Sequence, residues 1–123
     1  MVGLELNVEA LRIARQRGLE VHGYRIERFA AENPAAFDAV CSSQILEHVP
    51  DVASFVKAAC AALKPRGKLI LGVPNNNPFL YKYDRLHALN LPPHHMGLSN
   101  QASLSRIAQV FPLDLNRDPS GTP

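Results

Sequence analysis

The sequence has little of what marks several specialised classes of protein. It contains no tryptophan and only two cysteines, Cys41 and Cys60, too few for a disulfide framework or a zinc pattern. Its 13 Lys and Arg residues are interspersed with 11 Asp and Glu residues, so a net charge of +2 forms no basic stripe for nucleic acid. No apolar run approaches the roughly 20 residues of a membrane helix, and no N-terminal signal pattern is present. We therefore expect a soluble, cytoplasmic protein with no nucleic-acid or membrane partner.

What the sequence does contain is typical of one globular domain. Of its 123 residues, 46% are hydrophobic and 20% are charged, which suffices for a modest core. The two cysteines fall within apolar segments, so we expect them to be reduced and buried. Residues 116–123 carry no apolar side chain that could anchor them. The composition thus predicts a domain over residues 1–115 and a disordered tail over 116–123.

Strand and helix signals alternate along the chain. Short apolar runs predict strands over residues 1–6, 19–24, 37–42 and 68–73. Capping residues and helical spacing predict helices after Asn7, over 26–32, after Asp51, over 78–89 and after Ser99. A turn at Lys64–Gly67 is predicted to reverse the chain into the last strand. This alternation predicts an α/β fold with a parallel, doubly wound sheet.

Polar residues follow two of the predicted strands. Glu5 lies at the carboxyl end of the first strand, where a carboxylate can accept two hydrogen bonds from a ribose diol. A solvated loop acid is the alternative. Ser42, Ser43 and Gln44 follow another strand, where small polar residues suit the crevice in which α/β sheets bind ligands. An ordinary connecting loop is the alternative there.

The histidines of the sequence suggest a candidate general base but no metal site. The pair Glu47 and His48 follows the polar segment, and an imidazole at a crevice can act as a general base or, equally, hold the loop. His94 and His95 adjoin each other, with His87 nearby, but no cysteine or carboxylate with metal-ligand spacing accompanies them. We predict no metal.

Four segments together resemble a known family. They are G-L-E-L-N at Gly3–Asn7, F-D-A-V-C-S-S-Q-I-L-E-H-V at Phe37–Val49, L-K-P-R-G-K-L-I-L-G-V-P-N at Leu63–Asn75 and L-P-P-H-H at Leu91–His95. In this order and spacing they resemble the class I S-adenosylmethionine-dependent methyltransferases of the small-molecule type, which include quinone-biosynthesis enzymes. The resemblance covers about residues 1–115. It implies a Rossmann-like three-layer α/β/α fold, S-adenosyl-L-methionine as cofactor and a small molecule as methyl acceptor.

The resemblance also assigns roles to residues. It implies cofactor contacts from Glu5, Leu6, Ile26, Ser42, Ser43 and Gln44. It implies substrate contacts from His48, Asn75 and His95, with His48 also the candidate catalytic base.

The chain departs from the family in two respects. The first strand and the G-x-G-x-G loop of the family are missing, and without that central strand two half-sheets with unpaired inner edges are expected. Arg25 stands where an acidic residue commonly accepts a hydrogen bond from the adenine amine, which a guanidinium cannot do. A partner chain or a missing N-terminal segment would complete the sheet.

The sequence therefore predicts a methyltransferase fragment that is inactive alone. The alternatives are a non-catalytic interaction module or gene fragment with the same fold and, ranked lower, an NAD-dependent Rossmann domain. The latter shares the ribose acid but lacks its own glycine fingerprint.

Overall fold

The computed structural model describes residues 1–74, residue 99 and residues 101–114. The chain divides into two compact units. Unit 1 comprises Met1–Cys41 and Asp51–Ile70, and unit 2 comprises Ser42–Pro50 and the chain from Leu71 onward. The helix predicted over 78–89 and the predicted tail over 116–123 lie outside the described residues.

Strands and helices alternate along the described chain, as predicted. The strands are β1 (Gly3–Leu4), β2 (Val21–His22), β3 (Phe37–Ser43) and β4 (Leu63–Gly72). The α-helices are α1 (Val8–Gln16), α2 (Ile26–Glu32), α3 (Val52–Ala62) and α4 (Gln101–Val110), and a 3-10 helix covers Leu46–His48. In the part of the chain that is described, no helix has the length and apolar character to cross a membrane.

Strands β1 and β2 form a parallel pair joined by α1. Gly3 lies opposite Val21 and Leu4 opposite His22. The pairing continues beyond β1, where the Glu5 N–H donates to the His22 carbonyl at 3.1 Å. A helix between two parallel neighbouring strands is the βαβ connection that the alternating sequence pattern predicts.

Strands β3 and β4 form a second sheet. The Ala36 N–H donates to the Ala62 carbonyl at 2.9 Å, and the Gln44 N–H donates to the Gly72 carbonyl at 2.8 Å. Both residue numbers rise from one bond to the other, so the strands run parallel. Ala62 is the last residue of α3, and Arg66 has a φ of 64° within β4, so the first part of β4 is irregular.

The turn predicted at Lys64–Gly67 is wrong, because these residues belong to β4. The strand begins at Leu63, directly after α3 ends. Arg66 has a φ of 64°, in the left-handed region, within this stretch. Proline and glycine mark turns and strand bulges alike, so the sequence does not distinguish the two.

The core of unit 1 lies between α2 and α3. Ala30 of α2 and Ala58 and Ala62 of α3 form a buried cluster, against which partly buried Phe37 and Val40 of β3 pack. Small residues at helical spacing let the two helices approach closely, and the larger side chains of β3 cover the cluster.

The strands form two separate two-stranded sheets within the described residues. The predicted incomplete α/β fold, with two half-sheets, is confirmed. Apolar side chains lie exposed around β1 and α1, including Leu6 at 63% and Val8 at 80% of their accessible surface. No residue of α1 is buried. The first half-sheet and its helix thus present apolar surface to solvent.

The prediction of two buried cysteines is wrong. Cys41 on β3 is exposed, and Cys60 on α3 is only partly buried. Desolvation raises the pKa of the Cys60 thiol above its usual value. The sequence segment around Cys41 is apolar enough for a strand covered on both faces, but the exposure of Cys41 shows that one face is uncovered.

Candidate functional site

The carboxylate of Glu5 is held in place at the carboxyl end of β1. Its Oε1 accepts a hydrogen bond from the Asn7 N–H at 2.8 Å. Asn7 in turn is the N-cap of α1, because its Oδ1 accepts from the N–H groups of Glu9 and Ala10 at 3.0 Å each. The start of α1 therefore fixes the Glu5 side chain and engages Oε1. Within the described residues Oε2 has no hydrogen-bond partner.

The end of β2 lies beside Glu5, since parallel neighbours end at the same edge of a sheet. A Cβ atom built on Gly23 would be 4.0 Å from the Glu5 carbonyl and 2.8 Å from Leu11 Cδ2. The contact with Leu11 is too close for any residue but glycine unless the leucine moves. Leu11 Cδ2 is the end of a flexible side chain, so this contact alone does not require glycine at position 23.

Leu6 and Ile26 follow β1 and β2 in unit 1. Leu6 is well exposed beside Glu5. Ile26 is the first residue of α2, and its half-buried side chain packs against the alanine cluster of the core. Part of the Ile26 side chain therefore packs in the core, and the rest of its surface stays accessible.

Arg25, the residue before α2, forms an ion pair with a nearby carboxylate. Its Nε lies 3.4 Å from Glu27 Oε2, an ion pair at the start of the helix. The cation that replaces the expected acid is thus neutralised by a neighbouring carboxylate. Glu27 Oε2 is buried and has no hydrogen-bond partner within the described residues.

Unit 2 carries the polar end of β3. Ser42 Oγ is buried and has no hydrogen-bond partner within the described residues. A Cβ atom built on Gly72 would be 3.2 Å from Ser43 Oγ, so Ser43 lies tightly against β4. Gln44 has a φ of 56°, and its N–H donates to the Gly72 carbonyl. The chain thus turns sharply where β3 ends, with an unsatisfied hydroxyl beside the turn.

Glu47 and His48 differ in burial. Glu47 is 3% exposed, and its Oε2 has no hydrogen-bond partner within the described residues. Its Oε1 lies 3.9 Å from His48 Nε2, beyond hydrogen-bond distance. The His48 side chain is 52% exposed. The pair therefore combines an accessible imidazole with a buried carboxylate.

Glu47 was not among the predicted site residues, although a buried carboxylate oxygen without a partner is uncommon. Glutamate is usually exposed, so nothing in the sequence around Leu46 predicts that Glu47 is buried. Asn75 and His95, the other predicted substrate contacts, lie outside the described residues. No three His, Cys, Asp or Glu residues cluster as a metal site in the described ranges.

Comparison with known proteins gives a consistent result. A family model described as "Methyltransferase domain" matches residues 1–115. The ubiquinone biosynthesis O-methyltransferase of Bordetella pertussis is 42% identical over 84 residues, which are 63% of this chain and 35% of that protein. The Sodalis glossinidius protein of the same name is 37% identical over 84 residues, 63% of this chain and 34% of that protein.

A third relative of the same name, from Idiomarina loihiensis, is 39% identical over 83 residues, 63% of this chain and 34% of that protein. The chain thus spans about a third of the length of the relatives it matches.

Proposed function

This chain belongs to the methyltransferase domain family, and from that premise we propose that it is part of an S-adenosyl-L-methionine-dependent methyltransferase acting on a small molecule. The match over residues 1–115, together with the fixed carboxylate of Glu5, is the observation that carries the proposal. The names of the relatives support a hydroxyl oxygen as the acceptor atom and a molecule of ubiquinone biosynthesis as the substrate.

The residues of unit 1 fit the nucleoside part of the cofactor. Glu5 presents Oε2 at the carboxyl end of a parallel strand, where a carboxylate suits a ribose diol. Leu6 and the free surface of Ile26 supply apolar contacts at the ends of the same two strands. Together they suit a nucleoside whose sugar needs hydrogen bonds and whose base needs an apolar contact.

The family resemblance assigns the reacting end of the cofactor to the polar residues after β3. Bound S-adenosyl-L-methionine supplies a methyl group on a positively charged sulfur, which a nucleophilic oxygen attacks in line. The protein contributes mainly by positioning the reactants. We assign Ser42, Ser43 and Gln44 to the polar part of the cofactor.

His48 Nε2 is the group that would take the proton from the acceptor hydroxyl. Glu47, 3.9 Å away and buried, would stabilise the imidazolium formed in that step. Asn75 and His95 remain predicted substrate contacts. The acceptor would thus meet its base in unit 2.

We expect the chain alone to bind the cofactor weakly or not at all. It lacks a glycine-rich loop, and its strands form two half-sheets within the described residues. A partner chain or an N-terminal segment that supplies the missing strand would complete the site. The cytoplasmic location, the absence of a nucleic-acid partner, the domain over 1–115 and the tail over 116–123 stay predictions.

Isothermal titration with S-adenosylhomocysteine tests the proposal. The ligand is titrated into this chain and into a fusion that places the corresponding N-terminal part of the Bordetella pertussis relative before Met1. Binding by the fusion alone is the expected result. Binding by the chain alone would show that Glu5 and its neighbours suffice without the loop. Binding by neither protein, with both folded by circular dichroism, would overturn the proposal and favour a non-catalytic interaction module.

A further inference from the structure

The 3-10 turn that contains His48 has two faces that differ in burial. Its two middle residues, Leu46 and Glu47, are each 3% exposed. Ile45, the residue that begins the turn, is 47% exposed, and the His48 side chain is 52% exposed. The turn therefore buries its middle residues and leaves the residues at its two ends accessible.

The geometry of the turn brings the two exposed side chains to the same face. The His48 N–H donates to the Ile45 carbonyl at 2.9 Å, which closes one 3-10 turn. Side chains three residues apart eclipse each other in a 3-10 helix, and they stand roughly 6 Å apart along its axis because each residue rises about 2.0 Å. The Ile45 side chain thus lies beside the His48 imidazole. The backbone of residues 45–48 alone sets this juxtaposition.

The surface around this face carries no carboxylate, lysine or arginine of its own segment. Over residues 42–50 of unit 2, the exposed residues are Ser43, Gln44, Ile45, His48 and Pro50. Glu47, the one carboxylate of that segment, is buried and points away from the face, because three residues complete a 3-10 turn. The face therefore suits a ligand with an uncharged, apolar body and a polar atom near the imidazole.

We propose that Ile45 binds the apolar skeleton of the methyl acceptor and so places the acceptor hydroxyl at His48 Nε2. This inference rests on the proposed function and adds to it a residue that determines acceptor specificity. The hydroxyl proton passes to Nε2 as the oxygen bonds to the methyl carbon and the methyl–sulfur bond breaks, which leaves S-adenosylhomocysteine. The acceptor class is a hydroxyl on an uncharged apolar ring or chain. A charged group against Ile45 would lose its hydration without gaining a partner.

Phenol and 4-propylphenol are suitable probes, because they share the hydroxyl and differ only in an apolar tail. Each is titrated into the fusion protein that carries the N-terminal part of the Bordetella pertussis relative, saturated with S-adenosylhomocysteine. We expect 4-propylphenol to bind more tightly than phenol. Ile45→Ala should lower the affinity for 4-propylphenol roughly tenfold, because apolar surface of the probe is no longer buried, and should change that for phenol less.

Ile70→Ala is the matched control. Ile70 lies on β4, outside the segment, and is 53% exposed, close to the exposure of Ile45. The control should bind both probes as the parent fusion does.

A second measurement does not depend on the folding of a variant. In the fusion labelled at its isoleucine methyl groups, nuclear Overhauser effects report which methyl groups contact the propyl protons of the bound probe. We expect such effects from the Ile45 methyl group and none from that of Ile70. A residue that only stabilised the turn would show no contact with the probe.

The outcomes separate this inference from the function on which it rests. In a fusion that binds S-adenosylhomocysteine, failure to bind 4-propylphenol, unchanged affinity in Ile45→Ala, or the absence of contacts to the Ile45 methyl group would each overturn the inference and leave the proposed function standing. A fusion that binds no S-adenosylhomocysteine would overturn the proposed function and this inference with it.

Discussion

At the scale of single residues, local hydrogen bonds decide which predicted site residues are fixed in place. Asn7 was predicted as a helix cap, and the structure confirms it; the same residue also fixes the Glu5 carboxylate. A capping signal is read from adjacent positions in the sequence, which is why it can be predicted. The burial of Glu47 could not be predicted, because it depends on residues brought near by the fold.

Replacing Glu5 by glutamine tests its place in the cofactor site. The neutral amide keeps the size of the side chain but weakens a charge-assisted hydrogen bond to a ribose hydroxyl. Such bonds contribute about 1.5–3 kcal/mol, so affinity for S-adenosylhomocysteine should fall roughly 10- to 100-fold in the fusion protein. Glu9→Gln, whose side chain pairs with Arg12 on exposed α1, is the control and should bind as the parent does.

Equal affinity of the Glu5→Gln and Glu9→Gln fusions, measured by the same titration, would remove Glu5 from the cofactor site. Both substitutions lie within a few residues of Asn7, so a circular-dichroism spectrum of each shows whether α1 is retained. Weaker binding with an unchanged spectrum assigns the loss to the carboxylate itself.

At the scale of elements, helices were predicted more closely than strands. The helix predicted after Asp51 begins at Val52 with Asp51 as its cap, because amphipathic spacing and a cap are local signals. Strand β2 is shorter than its predicted run, and β4 begins five residues earlier than predicted. Strand limits depend on hydrogen-bond partners that are distant in sequence.

Gly67 is required where β4 passes close to the backbone of β3. A Cβ atom there would lie 2.9 Å from the Lys64 carbonyl and 3.2 Å from the Asp38 carbonyl, both backbone atoms that cannot move independently. Gly67→Ala should lower the free energy of unfolding by about 1–3 kcal/mol. A denaturant titration followed by circular dichroism gives this difference.

Gly3→Ala is the control, because its Cβ atom would meet Val21 at an ordinary 3.5 Å. Similar unfolding midpoints for the two variants would contradict the close approach of β4 to β3 at Gly67.

At the scale of the whole molecule, the division into two half-sheets could be predicted from the order of strands and helices in the sequence. A central strand missing from an alternating pattern leaves its neighbours without a partner, and the structure has β1 and β3 in different sheets within the described residues. Which apolar residues lie exposed could not be predicted from the sequence. Their exposure depends on which face of α1 packs against other elements.

The two half-sheets also predict how the chain unfolds. A packed domain of this length has an unfolding enthalpy on the order of 80 kcal/mol near 60 °C. This chain should absorb much less heat over a broader transition, because α1 has no buried residue and the apolar surface around β1 is already hydrated. The fusion that supplies an N-terminal segment buries that surface, so its transition should be sharper, hotter and larger in enthalpy.

Differential scanning calorimetry of the two proteins at equal molar concentration measures both quantities. A sharp transition of full enthalpy in the chain alone would mean that the half-sheets are stable by themselves. The chain would then need no further strand to be stable.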